Sequence, residues 1–114
     1  MIEFELPFPP SINRYYRHVG PRVLISREGR AFREHVCAVL AAAGIKPLEG
    51  PLKIHIEIYP PDLRRRDIDN VLKALLDALE HGGAYENDNQ IVELEIKKLG
   101  KVDKGRTIVR IGKA

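Results

Sequence analysis

Between Pro51 and the pair Pro60-Pro61, eight residues alternate without a fault. Leu52, Ile54, Ile56 and Ile58 fall on one side, and Lys53, His55, Glu57 and Tyr59 on the other. A period of two belongs to a β-strand with one buried face, and no helix satisfies it. Such a strand demands neighbours in a sheet and a layer of apolar side chains to cover it. The prolines end it, because proline has no N–H to give to a ladder.

The rest of the chain supplies candidates for both. Ile2, Phe4 and Leu6 alternate with Glu3 and Glu5 until Pro7, Pro9 and Pro10 intervene. Ser11–Gly20 reads as a polar and aromatic loop, and Val23–Ile25 as a short strand. Ser26 is placed to cap a helix running to about Ala43, with Ala31, Phe32, Val36, Val39, Leu40 and Ala43 on its apolar side and Gly44 beyond it. A second helix is expected from about Ile68 to His81, stopped by Gly82-Gly83. A strand with Val92, Leu94 and Ile96 on one face follows, then a turn at Lys101–Gly105 and a last strand at Thr107–Ile111. The order β-β-α-β-α-β-β predicts an α+β fold: a mixed sheet with two main helices packed on it. The 114 residues suit a single domain spanning 1–114, which on folding buries roughly 65% of the surface its unfolded chain exposes.

Several classes are set aside. Cys37 is the only cysteine, so an intrachain disulfide and a cysteine-based zinc site are excluded. No run of 18 apolar residues exists, and Met1–Glu5 lacks the basic-then-apolar order of a signal peptide, so a cytoplasmic protein with no membrane role is expected. The net charge of +3 decides little, but the basic residues are bunched. Arg14, Arg17, Arg22, Arg27, Arg30 and Arg33 crowd the first third, Arg64, Arg65 and Arg66 form a run, and Lys97, Lys98, Lys101, Lys104 and Arg106 gather near the end. Any one group is equally well explained as a solvated face. Three together suit a polyanion, and arginine suits bidentate phosphate contacts. Tyr15 and Tyr16, between Arg14 and Arg17, are placed either to stack on exposed bases or to pack in a core or dimer interface.

The segment Arg64-Arg65-Arg66-Asp67-Ile68-Asp69-Asn70 sits where a strand exit meets a helix start. At about 100° per residue, Asp69, Lys73 and Asp77 share a polar face opposite Val71, Leu72, Leu75, Ala78 and Leu79, with Asp67 in the preceding cap. Capping explains Asp67 and the helix dipole explains Asp69, while Asp88 suits the turn Glu86-Asn87-Asp88-Asn89. The spacing by itself favours that account. Chemistry offers another: Mg²⁺ takes a few carboxylate oxygens and keeps its remaining positions for water and phosphate. Two acids at a helix start, a third on a later loop and an adjacent lysine form such a partial cage.

Three segments together resemble the RusA family of Holliday-junction resolvases. Pro9-Pro10-Ser11-Ile12-Asn13-Arg14-Tyr15-Tyr16-Arg17-His18 is similar to its proline and aromatic-basic motif. Arg64 to Asn70, followed by Lys73, is similar to its acidic motif, and Asp88-Asn89-Gln90-Ile91-Val92 to its third-acid segment. The resemblance implies a homodimer that nicks two strands of like polarity at a four-way DNA junction, with Mg²⁺ or Mn²⁺ as cofactor. It places metal-ligand and catalytic roles on Asp67, Asp69 and Asp88, and a catalytic role on Lys73. Arg14, Tyr15, Tyr16, Arg17, Arg64, Arg65, Arg66 and Asn70 are the expected DNA contacts. Asn87 departs from relatives that carry an acid there. Two other readings remain: a non-catalytic DNA-binding regulator, and a nuclease for other branched nucleic acids.

Overall fold

The computed structural model describes all residues, 1–114. Its elements are β1 (Ile2–Leu6), α1 (Ile12–Tyr15), β2 (Tyr16–Val19), β3 (Arg22–Ile25), α2 (Arg27–Ala42), β4 (Leu52–Tyr59), α3 (Leu72–His81), β5 (Ile91–Lys98) and β6 (Arg106–Lys113). The α+β class and the mixed sheet hold, and two main helices cover one face of it. The expected loop at Ser11–Gly20 is instead one helical turn leading into β2, which pairs antiparallel with β3 in a separate hairpin. Only Tyr16 and its partner Ile25, at the base of this small hairpin, pack against the core, so Tyr16-Arg17-His18-Val19 shows no alternation. Gly20, at φ +59°, makes its turn.

The main sheet has the order β1-β6-β4-β5. β6 is antiparallel to both its neighbours, whereas β4 and β5 are parallel. A parallel pair needs a crossover, and α3 provides it. The start of α3 therefore lies near the C-terminal ends of β4 and β5, and its end near the beginning of β5.

Leu52, Ile54, Ile56 and Ile58 are all buried, together with Phe4, Leu6, Val109 and Ile111 of the flanking strands. Phe32, Val36 and Leu40 of α2 and Ala74, Leu75, Ala78 and Leu79 of α3 close over them. Ser26 caps α2 as expected, its hydroxyl accepting from the Gly29 N–H at 2.9 Å. A side chain at Gly82 would strike Leu40, so glycine permits the close approach of the end of α3 to α2. The opposite face of the sheet is charged. Arg110 bonds Glu3 at 2.6 Å and reaches Glu57 at 3.5 Å, and Arg106 pairs with Glu5 at 3.2 Å.

β5 departs from expectation. Leu94 and Ile96 stand beside Ile54 and Ile56, but the register shifts after Ile91 and Val92 has no partner of its own. β5 is also an edge strand that the helices do not fully cover. Val92 is 65% exposed and Leu94 44%.

Candidate active site and nucleic-acid interface

The expected helix at 68–81 begins differently from its sequence pattern. Ile68–Val71 is a 3₁₀ turn, and the α-helix starts only at Leu72. The tighter winding of that turn, three residues per turn rather than 3.6, rotates Asp69 by about 40° away from Lys73 relative to a continuous α-helix.

Asp67 occupies the cap position with extended backbone (ψ 140°), yet its side chain makes no cap hydrogen bond. Its carbonyl accepts the Asn70 N–H at 3.1 Å, and the carboxylate is left exposed. Asp69 is exposed as well. In the second acidic segment the turn chemistry belongs to neighbours of Asp88: the Asn87 side chain accepts from the Asn89 N–H at 2.9 Å and forms a reciprocal cap with Gln90. The Asp88 N–H is tied to Glu80 Oε1 at 2.7 Å, and the Asp88 carboxylate itself has no hydrogen-bond or ion-pair partner within the chain. Asn87, the departure from an acidic pattern, thus has a structural role as a cap.

The nearby acids that do have partners show the contrast. Asp62 binds Arg66 Nη1 at 2.6 Å and the Arg64 N–H at 2.9 Å, which holds its pKa down to about 2. Asp77 accepts from the Tyr15 hydroxyl and from Arg33 Nε and Nη2, at 3.1 and 2.6 Å for the two arginine bonds. Burial pushes the Asp77 pKa up, but those hydrogen bonds outweigh it and the net shift is downward. Burial likewise raises the Tyr15 hydroxyl above its ordinary value, helped by Asp77. Asp77 shares the Lys73 side of α3 as expected, but it serves to lock α3 to α1 and α2. Residues 15, 33 and 77 are too far apart in sequence for spacing to reveal this network, and no motif marks Arg33 or Glu80 for the parts they play.

Of the expected DNA contacts, Tyr15 needs correction, and Tyr16 and Arg66 have partners within the chain. Tyr15 is completely buried, so it cannot stack on a base. Tyr16 is half-buried and packs edge-to-face on Tyr15 at 4.9 Å between centroids. The bulk of both rings is spent on packing, the alternative that the sequence left open. Arg66 is also committed internally, bound to Asp62 and lying 5.5 Å over the Phe8 ring. Arg14, Arg17, Arg64 and Arg65 are exposed. Arg14, Arg64, Arg65, Arg66 and Asn70 converge on one cavity of about 510 Å³ between the proline segment, α2 and the strand exit after β4. Arg17 lies apart, on β2.

Lys73 is exposed, one turn before Asp77 and on the flank nearest Asp69. From Asp69 to Glu80 the helical rise amounts to about 17 Å, and Asp88 hangs from Glu80. Asp67 and Asp69 thus mark one end of α3, and Asp88 the other. No three Asp, Glu, His or Cys side chains of one chain converge where a single cation would sit. A complete three-carboxylate cage is absent from the isolated chain.

Residues 7–112 match the family Endodeoxyribonuclease RusA. The chain belongs to the RusA family. It is 43% identical over 111 residues to the crossover junction endodeoxyribonuclease RusA of Escherichia coli K12, covering 94% of this chain and 92% of that protein. The enzyme of the same name from Enterobacteria phage 82 shows the same identity and coverage. That of Shigella sonnei is 44% identical with equal coverage. RusA proteins are endodeoxyribonucleases, and the matched region contains both acidic segments, Lys73 and the arginine run. No helix of the chain is long and apolar enough to cross a membrane.

Proposed function

We propose that this protein is a divalent-metal-dependent endonuclease that resolves four-way DNA junctions by paired nicks, acting as a homodimer in the cytoplasm. The observation that carries the reading is electrostatic. Asp67, Asp69 and Asp88 lack internal partners, while Asp62 and Asp77 beside them are neutralised by arginine. Free carboxylates, two of them beside the arginine run, are available to a cation and would otherwise repel DNA.

The separation of Asp88 from Asp67 and Asp69 favours a site completed by a second copy. The exposed edge of β5, with Val92 and Leu94, runs between the two acidic ends. A two-fold contact along that edge is self-complementary and reverses the direction of one copy against the other. It brings Asp88 of one copy toward Asp67 and Asp69 of the other, and covers unpaired backbone groups that edge strands otherwise leave open. Mg²⁺, with Mn²⁺ as a substitute, would supply charge neutralisation at the scissile phosphate. Lys73 adds a fixed positive charge on the same flank, and Arg14, Arg17, Arg64 and Arg65 hold the backbone. Two equivalent sites match the near two-fold symmetry of a junction.

The test is nicking of a labelled synthetic junction in Mg²⁺. Asp67→Asn, Asp69→Asn and Asp88→Asn should each abolish it and retain junction binding. Mixing Asp69→Asn with Asp88→Asn protein should restore single nicks, because a shared arrangement leaves one intact site in each mixed dimer. Silence in the mixture would sink the shared site, and nicking without divalent cation would sink the metal reading. Binding without scission by the unaltered protein would favour a non-catalytic regulator. Equal cutting of flaps or RNA would point to a broader nuclease.

A further inference from the structure

The cavity beside the acidic site has a composition that backbone binding alone does not require. Its floor is apolar: Pro9, Phe32 and Val71 are buried there, with Pro7, Pro10 and Phe8 around them. Its rim is cationic, and Arg14, Arg64 and Arg65 reach solvent. Arg66 is held rigid between Asp62 and Phe8, which fixes one wall in advance of any ligand. On the α2 side, Glu28 offers an acceptor.

A row of phosphates needs only an exposed basic surface. A concave apolar floor with polar groups above it suits a flat ring system attached to an anion, and the volume of 510 Å³ lies within the roughly 300–1,000 Å³ typical of small-ligand sites. Arg64–Arg66 and Asn70 line this cavity and flank Asp67 and Asp69 in sequence, so its occupant would be a neighbour of the phosphate at the acids. We propose that the cavity receives one nucleotide drawn out of the stack at the branch point, with its base on the proline–phenylalanine floor and its phosphate on Arg14 and Arg65. This rests on the junction-nuclease reading and deepens it. A paired base within a duplex cannot enter without being extruded, whereas a base at a branch point has already lost part of its stacking, so extrusion costs least there. The cavity then selects for branched DNA through shape and strand deformability.

The experiment fills the cavity without altering the arginines. Ala31 and His35 are exposed on the wall contributed by α2, one helical turn apart, and a larger side chain at either can project inward. Ala31→Trp and His35→Trp, each confirmed as folded by circular dichroism, are compared with the unaltered protein. Two quantities are read: nicking of a four-way junction in Mg²⁺, and affinity for a duplex of the same length without divalent cation. Junction nicking should fall at least tenfold in both variants, with duplex affinity within twofold of the original. An abasic residue moved through the nucleotides flanking the branch point should, at one position, abolish the difference between the original and the Trp variants. Unchanged nicking in both variants overturns the proposal, as does a parallel loss on junction and duplex, or a gap that no abasic position closes. Failure of the unaltered protein to nick the junction overturns the nuclease reading itself, and is seen before any variant is made.

Discussion

Replacing Asp77 by asparagine isolates the charge of the Tyr15–Arg33–Asp77 network while keeping its shape. The carboxylate accepts from the Tyr15 hydroxyl and twice from Arg33, and each ion-pair side chain is 23% exposed. Hydrogen bonds to charged groups contribute about 1.5–3 kcal/mol and neutral ones about 0.5–1.5. Breaking a fully buried pair costs about 3–5 kcal/mol, and partial exposure lowers that figure. A loss of about 2–3 kcal/mol follows, on the order of 10 °C in Tm for a domain of this size. The same network sets a pH dependence. The folded pKa of Asp77 lies below its ordinary value, so its stabilisation is fully present above the unfolded value of about 3.9 and fades as pH falls through the folded one. Thermal melts followed by circular dichroism at pH 7 and at about pH 2.5, at equal protein concentration, should show a wide gap that narrows in acid. A gap under about 2 °C at pH 7, or one equally wide in acid, would refute the ionic account of this network.

Four further outcomes are expected. Lys73→Ala should lower single-turnover nicking by orders of magnitude with little change in Tm, because alanine favours the helix; a weaker affinity with an unchanged rate would reassign Lys73 to phosphate positioning. Junction affinity should fall steeply between about 50 and 200 mM salt, and Arg65→Ala should reduce the slope by about one unit for each phosphate it no longer neutralises, twice per dimer. Arg66→Ala should act mainly on stability, since Arg66 is bound to Asp62; equal effects of the two substitutions on the slope would contradict that division. Leu94→Lys should shift the protein to monomer in sedimentation and abolish nicking with the fold retained; a nicking dimer would remove the β5 edge from the interface.

Local order was legible along the chain wherever one element meets one environment. The alternation in Leu52–Tyr59 required a half-buried strand, and Ser26 announced the start of α2. The motifs around Asp67 and Asp88 pointed to the family to which the chain belongs. Where the sequence pattern misled, the deciding interaction was distant. Tyr15 looks like an exposed aromatic among arginines until α2 and α3 bring Arg33 and Asp77 to its hydroxyl. Arg66 resembles its neighbour Arg65, but Arg66 binds Asp62 and lies over Phe8, whereas Arg65 is exposed. Val92 and Leu94 repeat the period of a covered strand, yet an edge position and a register shift leave them open. Periodicity records which side of an element is apolar and is set by bonds within that element. Which of those sides is covered, and which charges are neutralised, depends on the path of the chain through space. The parallel β4–β5 crossover therefore settled what no spacing revealed: Asp67 and Asp69 stand at one end of α3 and Asp88 at the other.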